Sequence, residues 1–243
     1  MILEGKNAVR EALINRNQID KIFIKKGYEN GSLKKFKDCA MKNGIVIQLV
    51  DRRKLDFISE SKNHQGIVAV CPEKNYCDIN DILELAHKKH EAPLIIILDE
   101  INDPRNFGAI IRTCECFGAH GIVIPKRRNV GLTGIVSKTS AGAIEHVLIA
   151  KVSNLVCTIE YLKKQGVWIT CADMSGDNLE RIDFKAPSAI VIGNEGFGIK
   201  KLLKEKSDFR AKICMYGKVN CLNASVATGV LLYEVTRQRY NLK

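Results

Sequence analysis

The sequence predicts an α/β protein with a small front α/β unit followed by a larger unit built on a mainly parallel sheet. Three features of the 243 residues carry that expectation. Short β-branched runs, such as residues 94–98 and 189–193, read as strands buried on both faces, and helical periodicities lie between most of them. The stretch from Cys71 to Asp78 breaks the periodicity with Pro72 and a run of polar residues, and Ala92-Pro93 breaks it again. At 46% hydrophobic and 27% charged, the composition is that of an ordinary globular chain, which argues against disorder and fibrous repeats.

The elements follow in order. Residues 6–14 place Ala8, Val9, Ala12 and Leu13 at helical spacing, and residues 21–25 form an apolar-centred strand. Residues 33–43 are again helical and stop at Gly44, after which 45–50 and 66–70 read as strands. Residues 1–72 are therefore expected to form one unit, 73–92 a linker with one short helix at 79–89, and 93–243 the second unit. In that unit strands are expected at 94–98, 121–124, 147–150, 167–172, 189–193 and 211–214.

The chain carries a net charge of +11, and residues 1–75 hold fifteen basic against nine acidic side chains. Such an excess raises the local concentration of anions and makes phosphate-rich partners the first expectation. The nine cysteines are scattered with no C-x-x-C pair, so they are expected to be reduced, several as small core residues, with no metal site. The longest apolar run, residues 94–98, is far short of the roughly 20 residues of a membrane span. The first residues lack the basic and apolar pattern of a secretory signal, and the expected location is the cytoplasm.

Three constellations could carry chemistry. In the first, Asp103-Pro104 turns the chain out of a strand into a helix with the apolar stripe Phe107, Ile110, Ile111, Cys114 and Gly118; Arg112 falls roughly opposite. Asn106 there is equally a helix cap, and Arg112 an ordinary solvated arginine. The second is Gly193-Asn194-Glu195-Gly196-Phe197-Gly198 after a strand, where glycines permit close approach of a ligand or simply a tight turn. Its order is neither the dinucleotide fingerprint nor a phosphate loop. The third runs from Ile213 through Met215 and Tyr216 to Leu222-Asn223-Ala224-Ser225, a long polar loop between a strand and a helix that Asn223 would cap.

Taken together, Asn106-Phe107-Gly108-Ala109-Ile110-Ile111-Arg112, Gly193-Asn194-Glu195-Gly196 and Leu222-Asn223-Ala224-Ser225-Val226-Ala227 resemble the three signature motifs of the SpoU (TrmH-like) RNA ribose 2′-O-methyltransferases. Gly5-Lys6-Asn7-Ala8-Val9 and His64-Gln65-Gly66-Ile67-Val68-Ala69 resemble the substrate-binding domain of that family. The two-domain layout is most similar to the bacterial members that methylate a guanosine ribose of 23S ribosomal RNA. The resemblance implies an RNA-binding front domain, a catalytic domain with a carboxyl-terminal trefoil knot, S-adenosylmethionine as cofactor, ribosomal or transfer RNA as partner, and a homodimer. Carried over by position, it implies Gly193, Asn194, Gly196, Ile213, Met215 and Leu222 at the cofactor, and Asn106, Arg112, Glu195 and Asn223 as catalytic or substrate-contacting residues.

The chain departs from the family pattern at Cys221, where serine is usual, and at Cys214, where proline is usual. A thiol preserves the size of a serine hydroxyl but is a much poorer hydrogen-bond donor. A guanidinium titrating above about 12 is poorly suited to act as a base, so Arg112 is expected to grip a phosphate beside the ribose and stabilise developing negative charge. Two other readings remain: an RNA-binding module without catalysis, and an α/β enzyme that takes a nucleotide phosphate on the glycine turn.

Overall fold

The computed structural model describes residues 2–14, 19–28, 33–59, 62–71, 75–194, 196–218 and 221–241. In chain order the elements are β1 (Ile2–Glu4), α1 (Lys6–Ile14), β2 (Lys21–Lys25), α2 (Lys34–Lys42), β3 (Val46–Val50), α3 (Arg52–Ile58), β4 (Ile67–Val70), α4 (Ile79–Lys88), β5 (Leu94–Asp99), α5 (Pro104–Cys116) and β6 (Gly121–Pro125). They continue with α6 (Gly134–Thr139), β7 (Leu148–Val152), α7 (Leu155–Lys164), β8 (Trp168–Asn178), β9 (Ser188–Gly193), α8 (Lys201–Lys206), β10 (Phe209–Lys212) and α9 (Ala224–Arg239). Two compact units result: Met1–Asn75 with Gly131–His146, and Tyr76–Val130 with Val147–Lys243.

In the first unit a four-stranded sheet has the order β1-β4-β2-β3, with β4 antiparallel to both β1 and β2, and β2 parallel to β3. Val9 and Ala12 of α1 and Ala40 of α2 are buried with Ile22, Ile24, Ile67 and Ala69 on one face of the sheet. The three-residue β1 is too short to read from periodicity and is held by pairing Ile2–Glu4 against Val68–Val70. The Gly5 and His64-Gln65-Gly66 segments meet here. Gly5 N donates to Ile67 O at 3.2 Å, Lys6 N donates to Gln65 Oε1 at 3.2 Å, and Gly66 N donates to His64 Nδ1 at 3.0 Å. Gly5 and Gly66 both adopt positive φ, so glycine at these two positions is a backbone requirement of the turn.

The second unit is a six-stranded sheet, β10-β8-β9-β5-β6-β7, with every adjacent pair parallel. Its central strand β5 is buried along its whole length, as a strand covered by helices on both faces must be. β10 covers Phe209–Lys212 rather than the expected 211–214, because it pairs with β8 through an irregularity at Arg210/Ala211. Gly176 makes that possible: a Cβ there would lie 2.2 Å from Arg210 O.

Two differences from the expected boundaries 1–72, 73–92 and 93–243 have physical causes. Helix α4, expected within a linker, buries Ile82 and Ala86; Ile82 joins Ile97, Val123 and Ala150 in the core of the second unit. A Cβ on Gly121 would lie 2.5 Å from Ile82 Cδ1, so that glycine admits the helix to the sheet. The segment Gly131–His146, which contains α6, groups with the first unit. There a Cβ on Gly142, whose φ is +97°, would meet Glu11 Cγ of α1 at 2.3 Å.

Candidate active site

The carboxyl edge of the six-stranded sheet gathers the sequence motifs. β9 ends at Gly193, where a Cβ would lie 2.4 Å from Gly198 C and 2.5 Å from Ile199 N; only glycine lets the following turn fold back this closely. Asn194 fixes that turn. Its Nδ2 donates to Glu100 O at 2.9 Å, and its Oδ1 accepts from Gly196 N at 2.8 Å and Phe197 N at 3.4 Å. The turn closes with Gly198 N donating to Asn194 O at 2.8 Å, and Gly198 takes a φ of +67°. Glu195 lies outside the described residues.

A cavity of about 270 Å³ opens beside this turn. Gly193 and Asn194 line it, together with Ile213 and Met215 from the loop after β10 and Cys221 and Leu222 from the segment before α9. Five of the six residues expected at a cofactor therefore share one cavity. The sixth, Gly196, is exposed and reaches the cavity only through its hydrogen bond to Asn194. Cys221, which stands where serine is usual in the resembled motif, lines the wall. Cys214 is exposed and donates from Sγ to Asn178 Oδ1 at 3.3 Å.

The expected catalytic residues are divided. Asn223 Nδ2 donates to Asn106 Oδ1 at 3.0 Å, across 117 positions of sequence. Asn223 also caps α9, accepting from Ser225 N at 3.0 Å, and its neighbours Leu222 and Ala224 line the cavity, so the asparagine pair stands at the cavity's edge. The cap of α5 is Asp103, whose Oδ1 accepts from Arg105 N, which frees Asn106 for this contact. Arg112 is exposed and has no hydrogen bond or ion pair among the described residues. At 100° per residue it lies about 120° around α5 from Asn106.

The sequence reading missed Asp173, Met174 and Lys204, which also line the cavity. Lys204 Nζ is 2.6 Å from Asp173 Oδ2, and Ser175 N donates to Asp173 Oδ1 at 2.9 Å. Burial pushes the Asp173 carboxyl up, but the hydrogen bonds from Lys204 and Ser175 outweigh it and hold the group at about 2. An acidic residue just past a predicted strand end was the available signal for Asp173.

A second cavity, of about 490 Å³, lies at the carboxyl ends of β5, β6 and β7. Lys126, Arg127 and Arg128 line it opposite Asp99, Glu100 and Lys200. Lys200 Nζ is 2.6 Å from Glu100 Oε1 and 3.5 Å from the buried Asp99 Oδ1, and its backbone N donates to Asp99 Oδ2 at 3.0 Å. The Lys200 hydrogen bond lowers the Glu100 pKa, and Glu100 in turn raises that of Lys200. Among the described residues no group of three or more His, Cys, Asp or Glu side chains is arranged to hold a metal ion, and no helix is long and apolar enough to cross a membrane.

An open parallel sheet with a glycine turn and a small cavity outside its strand ends is the arrangement in which α/β domains place their ligand sites. The family model described as SpoU rRNA Methylase family matches residues 93–233, and the one described as RNA 2′-O ribose methyltransferase substrate binding matches residues 2–77. The chain belongs to the SpoU/TrmH family of RNA methyltransferases. It is 46% identical over 236 residues to YacO of Bacillus subtilis (strain 168), named for the TrmH family of tRNA/rRNA methyltransferases, covering 97% of this chain and 94% of that one. Its fold matches the SpoU methyltransferase AviRb of Streptomyces viridochromogenes, crystallised with the cofactor AdoMet, at a TM-score of 0.83 and 22% identity, over 100% of this chain and 91% of AviRb. The A. aeolicus TrmH/SpoU tRNA modifying enzyme matches at a TM-score of 0.56 and 31% identity, over 67% of this chain and 84% of that one.

Proposed function

We propose that this protein transfers a methyl group from S-adenosylmethionine to the 2′-hydroxyl of a ribose in structured RNA, with a guanosine of 23S ribosomal RNA as its substrate and the cytoplasm as its location. The observation that carries the reading is the convergence of Gly193, Asn194, Ile213, Met215 and Leu222 on one cavity beside the Asn106–Asn223 pair. The cavity fits the cofactor in character. Its walls are largely aliphatic, Gly193 leaves the backbone bare, and the charged groups Asp173 and Lys204 already neutralise each other.

When bound there, S-adenosylmethionine supplies an electrophilic methyl group. The chain's own residues do the rest. Ile213 and Leu222 enclose the apolar parts of the cofactor, and Asn194 keeps the turn at Gly193 closed against it. Asn106 and Asn223, locked to each other, present amide groups to the ribose hydroxyls. Arg112 holds the phosphate beside the target ribose and stabilises the negative charge that grows on the 2′-oxygen, and the proton leaves to water or phosphate. Lys126, Arg127 and Arg128 supply further phosphate contacts, which position RNA without specifying a base.

A homodimer completes the site. Val226, Val230 and Tyr233 form an exposed apolar stripe on α9, opposite the buried Thr228, Leu231 and Val235. With Arg112 turned away from Asn106 on the same helix, pairing two chains lets the arginine of one serve the cavity of the other.

Arg112→Lys tests the assignment, because charge is kept and the two-pronged grip is lost. Cofactor affinity by calorimetry stays near the wild-type value, while transfer of labelled methyl to 23S ribosomal RNA falls about 10²-fold. Normal turnover by this variant removes Arg112 from the mechanism. Mixing it with a Gly193→Ala chain restores part of the activity if the site is shared between protomers. Transfer to transfer RNA in place of ribosomal RNA would reassign the substrate.

A further inference from the structure

In the first unit, α1 and α2 cover one face of the sheet, and among the described residues the apolar cluster on the opposite face is closed by the seven-residue α3. Beneath α3, Leu55 packs on Phe23, Val50 and Val68. Strand alternation puts Lys21 and Lys25 of β2, and Val46 and Gln48 of β3, on this same face. Three lysine–aromatic pairs stand on or beside it: Lys21 Nζ lies 5.8 Å from the Phe23 ring centre, Lys25 Nζ 4.5 Å from that of Tyr28, and Lys54 Nζ 5.4 Å from that of Phe57. Phe57 is 82% exposed and Tyr28 41% exposed. Lys26 Nζ, 3.4 Å from Asp51 Oδ1, ties the turn after β2 to the start of α3.

Basic side chains outnumber their carboxylate partners on this face. Asp51 pairs with Lys26 and Asp56 with Arg52 and His64, while Lys21, Lys25, Arg53 and Lys54 have no carboxylate partner among the described residues. Arg53 and Phe57, four residues apart, share the side of α3 opposite the buried Leu55. A surface phenylalanine flanked by unpaired cations is complemented by a flat π-system attached to an anionic backbone. A duplex hides its base faces by stacking, and a seven-residue helix is a poor groove reader; an unpaired nucleotide offers both a base face and a phosphate.

We propose that the α3-bearing face of the first unit binds a single-stranded segment of RNA, with Phe57 and Tyr28 stacking unpaired bases and Lys25, Arg53 and Lys54 holding the adjoining phosphates. This rests on the reading of the chain as an enzyme acting on RNA, and it names the surface and the form of RNA that the surface takes. Stacking on aromatic rings tolerates any base, so the face selects an unpaired loop rather than a sequence.

The test uses the full chain and a short fluorescein-labelled oligouridylate, with the matching RNA duplex as competitor. Phe57→Ala weakens oligouridylate binding about tenfold, and Phe57→Trp restores it. Arg53→Ala combined with Lys54→Ala lowers the slope of log affinity against log salt by about 1.4. A Phe57→Ala chain that binds oligouridylate like wild type, or a wild-type chain that prefers the duplex, overturns the proposal. So does a Phe57→Ala chain whose only change is weaker self-association, which would make the face a contact between copies. Methyl transfer by the wild-type chain is measured alongside: binding through Phe57 without transfer leaves this inference standing and removes the enzymatic reading, and transfer with no role for Phe57 does the reverse.

Discussion

Two cavities lie along the carboxyl edge of the same sheet, and residues 193–204 contribute to both. The smaller is walled by Ile192, Ile213, Leu222, Ala224 and Ala227, with an ion pair between Asp173 and Lys204. The larger carries Lys126, Arg127, Arg128 and Lys200 against Asp99 and Glu100. The adenine and methylene groups of S-adenosylmethionine gain from apolar walls, about 25 cal/mol for each Å² removed from water, whereas a polyphosphate needs fixed cations. One edge therefore carries two cavities of different character. The glycine turn, which by sequence alone could have cradled a phosphate, borders the apolar cavity, and the basic run after β6 borders the other.

Substitutions can break this contrast one side at a time. The largest effect is expected from Gly193→Ala, whose Cβ collides with backbone atoms that have no room to move. Calorimetry should show S-adenosylmethionine affinity reduced at least about tenfold, and thermal unfolding a loss of about 1–3 kcal/mol, as overpacking costs. The charged cavity should respond in the opposite sense. Arg127→Glu should leave cofactor affinity unchanged while weakening RNA binding about tenfold at low salt, with the difference shrinking as salt rises.

The smallest effect concerns the Asp173–Lys204 ion pair in the apolar cavity. Lys204→Met should raise the Asp173 pKa from about 2 toward or above its ordinary 3.8, measured by carboxyl carbon titration in NMR. Because the folded-state pKa is depressed, the stabilisation is fully present above pH 3.8 and is lost as the pH falls through about 2. At neutral pH the variant should lose about 1 kcal/mol, because Ser175 N and Oγ still donate to the carboxylate when the lysine is gone. A variant whose Asp173 still titrates near 2 would show that the backbone and hydroxyl donors of Ser175 are sufficient.

What the sequence disclosed follows the range of the interactions involved. The strands of the large sheet and the glycine turn were legible because local patterns encode them: buried β-branched runs, and a glycine that cannot be replaced where the backbone approaches itself. Helix α3 escaped because Arg52–Ile58 buries only Leu55 and so has no periodic stripe. The Asp173–Lys204 pair joins residues on separate elements, and nothing in either local sequence points to the other. The grouping of Gly131–His146 with the first unit rests on contacts such as Gly142 with Glu11, which no linear reading of the chain would predict. Helix α9 is apolar on two opposite faces, so its sequence marks a helix without revealing which face the core takes.

The most direct measurement is a crystal structure of the full chain grown with S-adenosylhomocysteine, the product form of the cofactor. Density for the adenine and the thioether between Gly193, Ile213 and Leu222 is the predicted result. Density among Lys126, Arg127 and Lys200, with the apolar cavity unfilled, would contradict the division of labour between the two cavities and the assignment of the methyl donor with it.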